Sequence, residues 1–125
     1  MILDTNAVSA LFAGDRQLAA VLESSDYHHL PLVVIGEYQF GLLSSRKRKE
    51  LQLLLAKLET ESVVMAADRA TADWYAKVRH ELKMKGRPIP ENDVWIAAIA
   101  RQHTLEIVSN DAHFDHVDKI RRIGW

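Results

Sequence analysis

Short β-rich runs that alternate with longer helical ones predict an α/β domain with a central, mostly parallel sheet of about five short strands. Two further observations agree with that class. The 125 residues, 48% hydrophobic and 26% charged, are enough for one core and fall outside the composition of disordered or low-complexity chains. No internal repeat or flexible linker divides them, so residues 1–125 are expected to form a single domain.

The first predicted strand is Ile2-Leu3, followed by an apolar helical stretch from Ala7 to Phe12 and a stop at Gly14. Asp15 opens a second helix running to Leu22. A second strand is expected within Tyr27 to Leu32, ended early by Pro31, which lacks the N–H a central strand needs. Val34 to Leu43 then reads as helix. Ser44 or Ser45 is placed to cap the next one, in which Leu51, Leu54, Leu55 and Leu58 recur on one face. Val63 to Met65 is the third strand. Asp68 caps a long helix whose Trp74, Val78 and Leu82 step by four and are expected in the core. Gly86 ends that helix, and Arg87-Pro88-Ile89-Pro90 is a stiff connector because each proline bars helix at the residue before it. Another helix starts at about Glu91 to Asp93 and carries an apolar run to Ala100. Leu105 to Val108 supplies a fourth strand, and Ile120 to Ile123 a short fifth.

Composition narrows the chemistry. No cysteine is present, which excludes disulfide scaffolds, thiol nucleophiles, iron–sulfur clusters and thiolate zinc sites. The longest apolar run, Val94 to Ala100, is far shorter than the roughly 20 residues that span a bilayer, and no basic-then-apolar leader opens the sequence. A cytoplasmic protein without membrane contact is expected. The net charge of −1 advertises no polyanion binding by the whole molecule, yet Arg46 to Lys49 form a basic run, and Lys77, Arg79, Lys83, Lys85 and Arg87 stand against Glu81 alone.

Ligands of open parallel sheets bind beyond the carboxyl ends of the strands, where strand order reverses. Asp4 follows the first strand and Asp111 the fourth. Glu37 lies in the first turns of a helix after the second strand, and Asp93 in the first turn of a helix leading back to a strand. All four acids are thus expected on one edge, where mutual repulsion disfavours their ionised forms unless a cation compensates. Oxygen-only ligation suits Mg²⁺ or Mn²⁺, with a substrate phosphate completing the shell. The six histidines show no zinc spacing, and no phosphate-binding glycine loop or serine elbow occurs.

Ile2-Leu3-Asp4-Thr5-Asn6, Gly36-Glu37-Tyr38 with Phe40-Gly41, Gly86 to Ala98, and Val108-Ser109-Asn110-Asp111-Ala112-His113-Phe114 follow one another in the order of four PIN-domain motifs. Over essentially its whole length the chain resembles PIN-domain ribonucleases, and among them VapC, the toxin half of type II toxin–antitoxin pairs. Three positions depart from the pattern. His113 stands where the family often has a further acid, Asp115 lies one residue beyond Phe114, and Ser109 replaces the usual Thr.

The resemblance implies a three-layer α/β/α PIN fold and an endoribonuclease that hydrolyses phosphodiester bonds with Mg²⁺ or Mn²⁺, leaving 5′-phosphate and 3′-hydroxyl ends. Asp4 and Asp93 are expected as principal ligands, Asp111 as completing the site directly or through water, and Glu37 as orienting the attacking water or supporting a second ion. Thr5, Asn6 and Ser109 are expected to hold the carboxylates by hydrogen bonds. Arg87, Lys85 and Lys83 are candidates for RNA contact, with Arg46 to Lys49 as a further set. A homodimer and a cognate antitoxin are also implied, the antitoxin received in a helical groove near Val8, Leu11 and Phe12. The rival class is a catalytically silent PIN-like module that binds RNA or protein, against which four intact acids argue. An Asp-nucleophile phosphatase is less consistent, because Asp4-Thr5-Asn6 lacks the second Asp of that motif.

Overall fold

Ile2–Leu3 (β1) is the centre of the molecule, both residues fully buried, with parallel neighbours on either side. The computed structural model describes residues 1–125. From β1 the chain runs through Thr5–Phe12 (α1) and Arg16–Leu22 (α2) to His29–Pro31 (β2), then through Leu32–Leu42 (α3) and Arg48–Glu61 (α4) to Val63–Met65 (β3). It returns through Arg69–Met84 (α5) and Glu91–His103 (α6) to Ile107–Val108 (β4). A 3₁₀ turn, Ala112–His116, leads to Arg122–Ile123 (β5). The sheet order is β3-β2-β1-β4-β5 and every pairing is parallel. Strand order therefore reverses between β1 and β4. Helices cover both faces in a three-layer α/β/α arrangement, and one hydrophobic cluster joins β1, β2 and β4 to residues of all six helices and to Phe114.

Most element limits follow from local chemistry. Asp15 caps α2 by accepting from Gln17 and Leu18 N–H. Asp68 and Thr71 form a reciprocal capping box that opens α5, and those hydrogen bonds hold the Asp68 carboxyl below its ordinary pKa. Gly86 closes α5 in the left-handed region at φ +65°, which favours glycine.

Several expectations need correction. The second strand, His29–Pro31, lies within the expected stretch and ends at Pro31, but α3 begins at Leu32 rather than Val34, with Pro31 at its N-cap, because proline's φ of −63° suits both the strand end and the helix start. Neither Ser44 nor Ser45 caps α4. Its N-cap is Lys47, with no side-chain cap, and the Ser45 hydroxyl accepts from the Lys47 N–H one step earlier. Val78 and Leu82 are in the core, whereas Trp74 is half-buried at its edge, with Lys77 and Arg101 over its ring at 5.3 and 5.4 Å. Tyr75 takes the inward place instead, stacked on Trp95 with centroids 4.1 Å apart. The fourth and fifth strands are each two residues, shorter than the runs that announced them. Val8 is fully buried and lines no groove.

Phe114 is completely buried and fastens the 3₁₀ turn to the core. Phe114→Ala is expected to lower unfolding free energy in urea by about 3–5 kcal/mol.

Candidate active site

The register Leu3↔Val108 sets the next residues of the two strands, Asp4 and Ser109, side by side at the carboxyl edge. Asp4, only 4% exposed, caps α1 by accepting the Thr5 N–H at Oδ1 (2.7 Å). Its Oδ2 accepts from the Ser109 hydroxyl (2.7 Å) and the Asn6 amide (2.8 Å). Both lone pairs of Oδ2 are thus occupied, while Oδ1 keeps one for a ligand. Ser109, fully buried, donates to Asp4 and accepts from Asn6 Nδ2 (2.9 Å) and the Asp111 N–H (2.9 Å). The carbonyl of the Asn6 side chain accepts from the Asn110 N–H at 3.1 Å.

Asp93 projects from the first turn of α6, 8% exposed. Burial, then the Asp4 charge, raises its pKa to about 6, with Asp111 adding and the His113 hydrogen bond opposing. Burial also raises Asp4, against the hydrogen bonds of Ser109 and Thr5. Asp111 caps the 3₁₀ turn by accepting the His113 N–H, which brings the imidazole back over the acids. His113 Nδ1 lies 2.9 Å from Asp111 Oδ1 and 3.3 Å from Asp93 Oδ2. One ligand atom each from Asp93, Asp111 and His113 falls within 4.8 Å of the others. Glu37, exposed in the second turn of α3, accepts from the Thr5 hydroxyl at 2.8 Å.

The donor set fits a divalent ion. Two carboxylates with raised pKa gain most from a cation, and one Asp4 lone pair faces no internal donor. The imidazole nitrogen, absent from the expected oxygen-only set, suits transition ions better than Mg²⁺. His113 is the residue that sequence reasoning left outside the site, and its signal was position, two residues past Asp111 at the family's acid site. Asp115 is turned away. Its two oxygens accept from Arg122 at 2.8 and 3.0 Å, which lowers its pKa.

Of the basic candidates, Lys85 is engaged with Asp118 and the His116 carbonyl. Lys83 and Arg87 are exposed, Lys83 on a hollow of about 520 Å³ that it shares with Tyr75, Arg79, Pro88, Ile89 and Glu91.

Over residues 1–120 the chain matches the PIN domain, and it belongs to that family. It is 30% identical over 119 residues to ribonuclease VapC5 of Mycobacterium tuberculosis, covering 94% of this chain and 87% of that one. Toxin FitB of Neisseria gonorrhoeae is 27% identical over 121 residues, 89% of this chain and 87% of FitB. The fold superimposes on VapBC2 of Rickettsia felis bound to a DNA fragment from their promoter, with TM-score 0.88, 24% identity, and 99% and 97% of the two chains covered.

A raised carboxyl opposes folding above its folded-state pKa and ceases to do so below its unfolded value. In EDTA, Asp93→Asn is therefore expected to raise unfolding free energy at pH 7.5 by on the order of 2 kcal/mol, the gain fading as pH falls through 6 towards 4. A gain independent of pH in urea titrations would contradict the assigned shift. Ser109→Ala strands the Asp111 N–H and one Asp4 lone pair. It should cost about 1–3 kcal/mol by the same measurement.

Proposed function

We propose that the protein is a metal-dependent endoribonuclease, the toxin of a VapBC-type toxin–antitoxin pair acting in the cytoplasm, with residues 1–125 working as one PIN unit. The observation that carries this reading is the meeting of Asp93, Asp111 and His113 beside the buried Asp4, with Glu37 tied in through Thr5. Similarity along nearly the whole chain to proteins named ribonuclease VapC5 and toxin FitB supports it.

Asp4 and Asp93 are the proposed direct ligands of Mg²⁺, and Asp111 completes the site directly or through water; His113 stays outside that oxygen shell, and Mn²⁺, which can substitute, would accept its nitrogen as well. When bound, such an ion polarises a phosphate oxygen and lowers the pKa of water. Glu37, one oxygen held by Thr5, offers the other to take the proton of the attacking water. The water oxygen bonds to phosphorus as the bond to the leaving 3′ oxygen breaks, and that oxygen takes a proton from solvent, giving 5′-phosphate and 3′-hydroxyl ends. Asn6 and Ser109 fix the Asp4 carboxylate so that it does not rotate as charge develops. Arg87, Lys83 and Lys85 are proposed rim contacts for RNA.

The proposed antitoxin segment lies in a groove lined by Leu11, Phe12, Leu54, Lys57, Leu58 and Glu61. The proposed homodimer is supported by a wholly apolar hollow that includes Leu32, Met65, Trp95 and Ile99, with Leu32 52% exposed.

Labelled structured RNA should be cut by purified protein with Mg²⁺ or Mn²⁺. EDTA, Asp4→Asn or Asp93→Asn should each reduce cutting roughly 100-fold or more. Mg²⁺ should also raise the melting temperature of wild type more than that of Asp93→Asn. Equal cutting by all three proteins would identify a contaminant, and binding without cutting by a folded wild type would favour the silent module.

A further inference from the structure

We infer that the basic run Arg46-Lys47-Arg48-Lys49, the groove floored by Gly41 and the exposed ring of Phe40 form one track that binds single-stranded RNA and leads it to Glu37. The inference rests on the ribonuclease reading and adds the path its substrate takes.

The groove, about 260 Å³, reaches from Glu37 to the two residues that flank the basic run in the chain. Thr5, Glu37, Tyr38, Gly41, Ser45 and Leu51 line it. Ser45 immediately precedes the run and Leu51 follows it after Glu50, and the Lys47 N–H donates to Ser45 Oγ (3.2 Å), tying the backbone of the run to a groove residue. All four cations are exposed, and none forms an ion pair. Seven cations elsewhere are paired, among them Lys85 with Asp118 and Arg122 with Asp115, and the other unpaired ones, Arg16, Lys77, Lys83, Arg87 and Lys119, do not form a consecutive run.

Three local choices at this place work against stability. Lys47 is the N-cap of α4 with no side-chain acceptor, and Arg48 and Lys49 follow in its first turn, at the positive end of the helix dipole. Gly41 sits inside α3, where glycine is less stable than alanine. It has no positive φ, and a Cβ there would meet nothing within 4 Å, so neither backbone nor packing requires it. The absent side chain keeps the groove open. Phe40 is 76% exposed, one helical turn from Glu37, on the same strip of α3 as Gly41. An exposed ring on the helix that precedes a run of unpaired cations supplies the two elements of single-strand binding, a face to stack an unpaired base and charge to neutralise its phosphates, and a duplex, with its bases already stacked, does not offer the first.

The test is fluorescence anisotropy with a fluorescein-labelled single-stranded RNA dodecamer and the full-length protein in EDTA. Replacing Arg46, Lys47, Arg48 and Lys49 together by Gln should weaken binding roughly tenfold or more and reduce the log–log salt slope by about 2 to 3. Gly41→Leu narrows the groove, its Cβ meeting nothing within 4 Å, and should weaken binding with melting temperature undiminished. Phe40→Ala should weaken binding to the single strand and leave a duplex of the same sequence unaffected. A charge-matched control, R16Q/R69Q/K119Q/R121Q, should change affinity by no more than roughly twofold.

Wild-type affinity in the basic-run variant, or an equal loss in the control, overturns the track. So does retained RNA binding with lost binding of a poly-glutamate probe, which would assign the run to an acidic protein segment. Track-dependent binding with no cutting in Mg²⁺ or Mn²⁺ would sink the ribonuclease reading and leave the track standing. Cutting by wild type that all these variants retain would do the reverse.

Discussion

Asp4 is held by three donors, two from the start of α1 and one from the end of β4, and the rest of the site is arranged around that carboxylate. Thr5 N–H, Asn6 amide and Ser109 hydroxyl leave it one free lone pair. Because Ser109 also accepts from Asp111 N–H, one hydroxyl sets the position of two acids. Asn6 spends both amide hydrogens and its carbonyl on the same junction, so β1 and β4 are joined beyond their last ladder bond. The reversal of strand order opens a crevice here, and this network keeps it at a fixed width.

Such a junction is costly to maintain. Burial and mutual repulsion push Asp4 and Asp93 towards their neutral forms, and the imidazole of His113 lies between Asp93 and Asp111 as a partial counterweight. A core that includes fully buried residues on β1, β2 and β4, together with Phe114, supplies the stability that the acids subtract. Function and folding compete at this edge of the sheet, and the hydrophobic interior settles the competition.

How much of this was legible in the sequence depended on whether the signal was local. The Asp68 cap, the Gly86 stop and the Asp15 cap rest on side chains that bond their own neighbours, and all three were readable in advance. So were the acids, since each follows or opens a recognisable element. Trp74 was misplaced because a four-residue step does not distinguish a core stripe from its border, and the stack with Trp95 that drew Tyr75 inward comes from another helix. The early end of β2 at Pro31 was readable, but the start of α3 was set two residues late because Pro31 serves two elements at once. His113, Asp115 and Lys85 differ only in long-range partners, and nothing in their own segments announces which faces the acids and which pairs elsewhere.

The passage from β2 to α3 has no residue to spare, since Pro31 ends one and caps the other. A loop would absorb a change of chain length as slack, but here strand and helix are geared together. Adding or deleting one residue at the junction turns every side chain of α3 by about 100° about the helix axis. Glu37 would leave the cleft and the apolar residues Val34, Ile35 and Tyr38 would leave the core in the same movement. The junction therefore ties the azimuth of an exposed catalytic candidate to the packing of the interior, so that a chain cannot lose the aim of Glu37 this way and keep its fold.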